Sequence, residues 1–82
     1  MAVSAFPNPA QNQFTLRLTD LEQPMRATLY NQQGRAVAEH TLQPSVAAVD
    51  AVFDTAALPD GLYTLRLQWG KEVRTRLLMV QH

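Results

Sequence analysis

Apolar and polar side chains alternate along most of this chain. Phe14, Leu16 and Leu18 fall on one face of a segment whose other face is Thr15, Arg17 and Thr19, the period of a half-buried strand. After Pro24 the pattern repeats, with Met25, Ala27 and Leu29 against Arg26, Thr28 and Tyr30. Polar Asn31, Gln32 and Gln33 then lead to Gly34, a residue suited to the positive φ of a short hairpin. Arg35 to Leu42 is the returning strand, with weaker alternation. Pro44 and Ser45 interrupt the pattern before Val49, Ala51 and Phe53 alternate with Asp50 and Asp54, a fifth short strand.

Thr55 to Asp60 reads as a turn-rich connection. Beyond Gly61, Tyr63, Leu65, Leu67 and Trp69 alternate with Leu62, Thr64, Arg66 and Gln68, the strongest period-two signal in the chain. Gly70 and Lys71 form a hairpin turn into Glu72–Val80, where the run Leu77, Leu78, Met79, Val80 predicts a last strand buried on both faces. Val3 to Phe6 is a further strand that meets Pro7 and Pro9, which cannot donate a ladder hydrogen bond and so place it at an edge or an end. No stretch of 11 or more residues holds a helical period. The prediction is an all-β fold, two small antiparallel sheets face to face in an immunoglobulin-like sandwich of about seven strands.

Composition narrows the function. With 82 residues the chain makes one small domain with one modest core, residues 1–82. Seven basic and seven acidic side chains cancel, and the cations are scattered, which argues against nucleic acid as a partner. The absence of cysteine excludes disulfides, thiolate zinc sites and a cysteine nucleophile. The longest apolar runs, Val46–Val49 and Leu77–Val80, fall far short of the roughly 20 residues that span a bilayer. No basic segment followed by an apolar one marks a secretory signal peptide.

Candidate chemistry is sparse. His40, Ser4 and Ser45 lack the glycine-flanked turn of a serine hydrolase, so His40 reads as a surface histidine. Asp50, Asp54 and Asp60 have neither calcium-loop spacing nor that of a paired-carboxylate enzyme, and Asp54 before Thr55 reads as a turn cap. Gly34, Gly61 and Gly70 form no phosphate-binding cluster. No catalytic residue, cofactor or metal is assigned. Tyr63 falls in register with core leucines, whereas Trp69 stands at a strand end. Arg66, Arg74, Arg76 and Lys71 could share one exposed patch on the last hairpin, either receiving an anionic partner or keeping an edge strand soluble.

Four blocks in order carry a resemblance: Phe6, Pro7, Asn8, Pro9 and Ala10; Tyr30 through Gly34 and Arg35 to Val37; Asp54 through Leu58 to Gly61 and Tyr63; and the basic, apolar last strand. The two prolines of the first block predict an extended approach to a turn. In this order and spacing, from Val3 to Val80, the chain resembles the C-terminal sorting domain of the type IX secretion system of certain Gram-negative bacteria. The resemblance implies a non-enzymatic address label on an N-terminal cargo, in transit from the periplasm to the cell surface or beyond. The label is recognised by outer-membrane secretion machinery, then removed by a sortase-like cysteine peptidase that joins the cargo to an anionic lipopolysaccharide.

In that resemblance Lys71, Arg74, Arg76, Leu77, Leu78, Met79, Val80, Gln81 and His82 match the recognition end, although the chain closes on Val80, Gln81 and His82 rather than on basic residues. Met1 directly before the domain suggests a segment separated from its cargo. The competing expectation is a noncatalytic immunoglobulin-like module for carbohydrate or adhesion, with Trp69 and Tyr30 as its platform. A plain spacer is the third.

Overall fold

The computed structural model describes residues 1–82. Seven strands follow in chain order: β1 (Ala2–Phe6), β2 (Gln13–Thr19), β3 (Met25–Tyr30), β4 (Ala36–Leu42), β5 (Val49–Asp54), β6 (Gly61–Trp69) and β7 (Glu72–Val80). They form two antiparallel sheets, β1-β2-β5 and β4-β3-β6-β7, and no helix. The expected β-sandwich is therefore the fold. In the constant-type immunoglobulin arrangement the fourth strand joins the fifth; here β4 stays beside β3. The turn between them explains this. Asn31 Oδ1 accepts the backbone N–H groups of Gln33 and Arg35 at 3.0 and 2.9 Å, and the Asn31 N–H donates to the Arg35 carbonyl at 2.9 Å. Gly34 takes φ 79°, a value that costs a residue with a Cβ about 1–2 kcal/mol.

The alternating apolar faces meet between the sheets. Phe14, Leu16 and Leu18 of β2 and Ala51 and Phe53 of β5 pack against Met25, Ala27 and Leu29 of β3 and Tyr63, Leu65 and Leu67 of β6. The rings of Phe14 and Phe53 lie 4.7 Å apart and nearly parallel, at 3°. They are direct cross-strand partners, within the distance at which aromatic pairs add about 0.5–1.5 kcal/mol beyond area burial. On the outer face of the smaller sheet Arg17 and Asp50, also cross-strand partners, form a two-pronged ion pair at 2.8 and 2.9 Å. The same guanidinium covers the ring of Phe6, 5.1 Å from its centroid.

Two expectations about local structure are corrected. The segment after β1 is bent, not extended: Pro7 to Pro9 form bends, with the Phe6–Pro7 and Asn8–Pro9 peptide bonds cis. The chain here leaves one sheet to reach the other, where Ala10 bridges Val80 in parallel. The last strand is not buried on both faces. Only Leu78 and Val80 enter the core, whereas Leu77 is 64% and Met79 40% exposed. The fold has only two sheets, so each has one facing it and nothing stacked on its outer face, where Leu77 and Met79 point.

Candidate functional site

β7 runs nearly the full length of the molecule, nine residues or about 30 Å along a body whose longest extent is 34 Å. Its C-terminal half is tied down. Asn8 Oδ1 accepts the Met79 N–H at 3.1 Å, the Ala10 N–H donates to the Met79 carbonyl at 2.8 Å, and the Gln81 N–H donates to the Ala10 carbonyl at 2.8 Å. Thus Asn8 and Ala10 of the first sequence block act as a short strap on the last strand. Pro7 and Pro9, both exposed, frame it.

The tail is clasped further on. The His82 N–H donates to Asp60 Oδ1 at 3.1 Å, while its Nδ1 stands 2.6 Å from the same oxygen and its Nε2 stands 3.1 Å from the Thr55 carbonyl. The imidazole is thereby raised above its ordinary pKa, first by the Asp60 hydrogen bond and then by the Thr55 carbonyl. The two hydrogen bonds from His82, backbone first and then ring, lower the Asp60 carboxyl. Thr55 is itself fully buried, its hydroxyl donating to the Gln11 carbonyl at 3.1 Å. Beside this clasp, the Tyr63 hydroxyl donates to the Pro59 carbonyl at 2.7 Å, the corner that sandwich domains of this type use to pin the start of their sixth strand. Leu58 packs partly buried against the core, and Gly61 pairs with Val80. The third sequence block therefore holds the end of β7 in place.

The cationic patch is corrected. The two-residue turn at Gly70 and Lys71 fixes the β6–β7 register with Arg66 opposite Thr75, Leu67 opposite Arg74 and Leu65 opposite Arg76. Cross-strand partners share a face, so Arg74 and Arg76 lie on the inward side of β7 and Arg66 on the outward side. Arg74 covers the ring of Trp69 at 5.5 Å. Arg76 Nη2 donates to the Val3 carbonyl of β1 at 3.1 Å, bridging the two sheets. Lys71 stands exposed in the turn, at the end of the molecule opposite His82. Arg35 is exposed in the β3–β4 turn.

The Trp69 and Tyr30 platform does not form. Trp69 pairs across from Met25 and Tyr30 from Thr64, five residues or about 17 Å apart along the strands. Parity also sends their side chains to opposite faces. The three aspartates are each engaged elsewhere: Asp50 with Arg17, Asp54 with the Ala56 N–H at 2.9 Å, and Asp60 with His82. Asp54 is the turn cap expected. His40 is exposed, its ring edge-on to Phe53 at 4.6 Å, and Ser45 Oγ accepts the Ala47 N–H. No group of three His, Asp or Glu side chains converges.

A scan against family models matches residues 4–81 to the secretion system C-terminal sorting domain. The chain belongs to that family. The sorting domain is thus a type IX secretion signal, which implies a cargo on its N-terminal side and passage through the secretion machinery to the cell surface or the exterior. Members of this family act as signals rather than as enzymes. A search of curated proteins found no match to the sorting domain.

Periodicity had no means of finding Asn8, Thr55 and Asp60 as partners of the last strand and tail. Asn8 and Met79 are 71 residues apart, and Asp60 and His82 are 22 apart. The turn length, by contrast, already implied that Arg66 and Arg74 face opposite ways.

Proposed function

We propose that residues 1–82 are one sorting domain whose recognised surface is β7 with the tail to His82. The reading extends to removal of the domain by a sortase-like cysteine peptidase after export, with the cargo joined to an anionic lipopolysaccharide at the cell surface. The periplasm is where the machinery meets the folded sandwich. Pro7 to Ala10, Gly34, Leu58, Gly61 and Tyr63 serve recognition indirectly, by shaping and holding the strand. Lys71, Arg74, Arg76, Leu77, Met79, Gln81 and His82 offer the contacts, while Leu78 and Val80 anchor the strand in the core.

The observation that carries this reading is the division of β7. Its C-terminal half is strapped by Asn8 and Ala10, while Glu72–Leu77 is exposed at every residue. Position along the body supports it too. Met1, where a cargo would join, shares a hollow with Asp20, Glu22 and Val46, at the end of the sandwich away from His82. A cargo there stands at the end where β7 begins and leaves the tail to His82 clear.

The test is export of a fused cargo in a bacterium that has this route. Arg74→Glu with Arg76→Glu is expected to slow export while the circular dichroism of the folded sandwich is kept; export at the unaltered rate sinks the assignment to β7. Deletion from Leu77 onward is expected to stop export, but it also removes Leu78 and Val80 from the core, so the charge reversal is the sharper experiment.

A further inference from the structure

We infer that the open edge of β7, Val73–Leu77, accepts an added β-strand from another polypeptide, one whose side chains alternate between apolar and acidic. The inference rests on the reading of β7 as the recognised strand and names the chemistry of what recognises it.

The backbone carries the first part of the argument. Met79 and Gln81 direct their main-chain groups away from β6, toward Asn8 and Ala10. Strand geometry repeats every two residues, so Val73, Thr75 and Leu77 point theirs the same way. None of them takes part in a backbone hydrogen bond outside the regular ladders. Where the strap ends, a row of donors and acceptors about 17 Å long is left facing outward, a template for a further strand. On the facing edge of the other sheet, Arg76 Nη2 occupies the Val3 carbonyl of β1.

The side chains specify the occupant. On the outward face Val73 and Leu77 are 46% and 64% exposed, flanking Thr75, and would meet apolar side chains of the added strand. On the inward face stand Arg74 and Arg76, with Glu72 the one acid among them, and these would meet carboxylates. Cross-strand pairs of opposite charge stabilise, whereas like charges directly opposite one another destabilise. The second rule disfavours another copy of this chain. Two-fold pairing centred on Thr75, the register that uses all of Val73–Leu77, sets each Arg74 against an Arg76 of the other copy.

The test uses the 82-residue chain and a soluble peptide of alternating valine and glutamate, with a valine and lysine peptide as its control. Amide hydrogen exchange read by NMR is expected to show new protection at Val73, Thr75 and Leu77 with the acidic peptide alone. Thr75→Pro removes an outward donor without touching the β6 ladder, as edge positions tolerate, and is expected to weaken the peptide by about tenfold. Arg74→Glu with Arg76→Glu is expected to reverse the preference toward the lysine peptide. No protection at the three amides, equal protection by both peptides, unchanged binding to Thr75→Pro, or equal displacement by inorganic polyphosphate would each overturn the inference. So would a concentration-dependent dimer that protects the same amides. Export separates this inference from the reading beneath it: if Thr75→Pro is exported at the unaltered rate while the double charge reversal is not, strand addition falls and recognition of β7 stands.

Discussion

Asn8 closes on Met79: its side-chain oxygen accepts the backbone N–H of a residue 71 positions later, at 3.1 Å. A single amide side chain in the bend between two prolines thus stands in for a missing strand at the edge of the larger sheet. Asn8→Ala is expected to cost about 0.5–1.5 kcal/mol and to speed exchange of the Met79 amide, with the Val73–Leu77 amides unaffected. Urea denaturation and amide exchange measure the two effects. Exchange at Met79 as slow as in the unaltered chain would contradict the strap.

The corner bond of Tyr63 makes a second prediction. Tyr63 is 5% exposed and its hydroxyl reaches the Pro59 carbonyl at 2.7 Å, so Tyr63→Phe removes one hydrogen bond and keeps the ring in place. A loss of about 1 kcal/mol in unfolding free energy is expected, read as a lower urea midpoint with the denaturant slope unchanged.

The clasp of His82 is pH-dependent, and its sign follows from the directions of the two shifts. Because the imidazole is raised in the fold, its contribution is full below the ordinary histidine value of about 6.5 and fades as pH climbs through the higher folded value. Asp60 is lowered, so its contribution is full above about 3.9 and fades as pH falls through the lower folded value. Between these limits the charged pair is intact. His82→Gln should therefore lower the melting temperature more at about pH 5.5, below the ordinary histidine value, than at about pH 9, where the imidazole has lost its proton to a greater extent. Both side chains are substantially exposed, so high salt should shrink the difference.

The Phe14 and Phe53 stack is the test of the core. Phe14→Ala removes a fully buried ring and its 4.7 Å partner contact, at a cost of about 3–5 kcal/mol. For a domain of 82 residues each kcal/mol moves the melting temperature by about 4–8 °C, so the thermal transition followed by circular dichroism is expected to fall by at least about 12 °C.

The strands of this domain were legible because each buries one face. Phe14, Leu16 and Leu18, or Tyr63, Leu65 and Leu67, must all point one way if they are to leave water, and a period of two is the only way an extended chain can do so. Gly34 and Gly70 marked their hairpins for a related reason, since φ values of 79° and 54° admit few other residues. The Leu77–Val80 run misled because composition records that a side chain is apolar but not whether another sheet lies above it. Only one sheet lies against the sheet that carries β7, and half of that run points the other way.

Alternation and turn chemistry are local properties, and they were enough for about seven strands, two of their antiparallel hairpins and the apolar faces of β2, β3, β5 and β6, though not for Ala10, Leu21 and Leu42, which are also buried. Pairings at long separation were beyond them: Asn8 with Met79, His82 with Asp60 and Thr55, and Arg76 with the Val3 carbonyl. Those depend on how the two sheets are stacked and which strands end at the margins. Stacking order is set by the packing of all the apolar faces at once, so no window of neighbouring residues contains it. The division of β7 into a strapped half and an open half arises at that level.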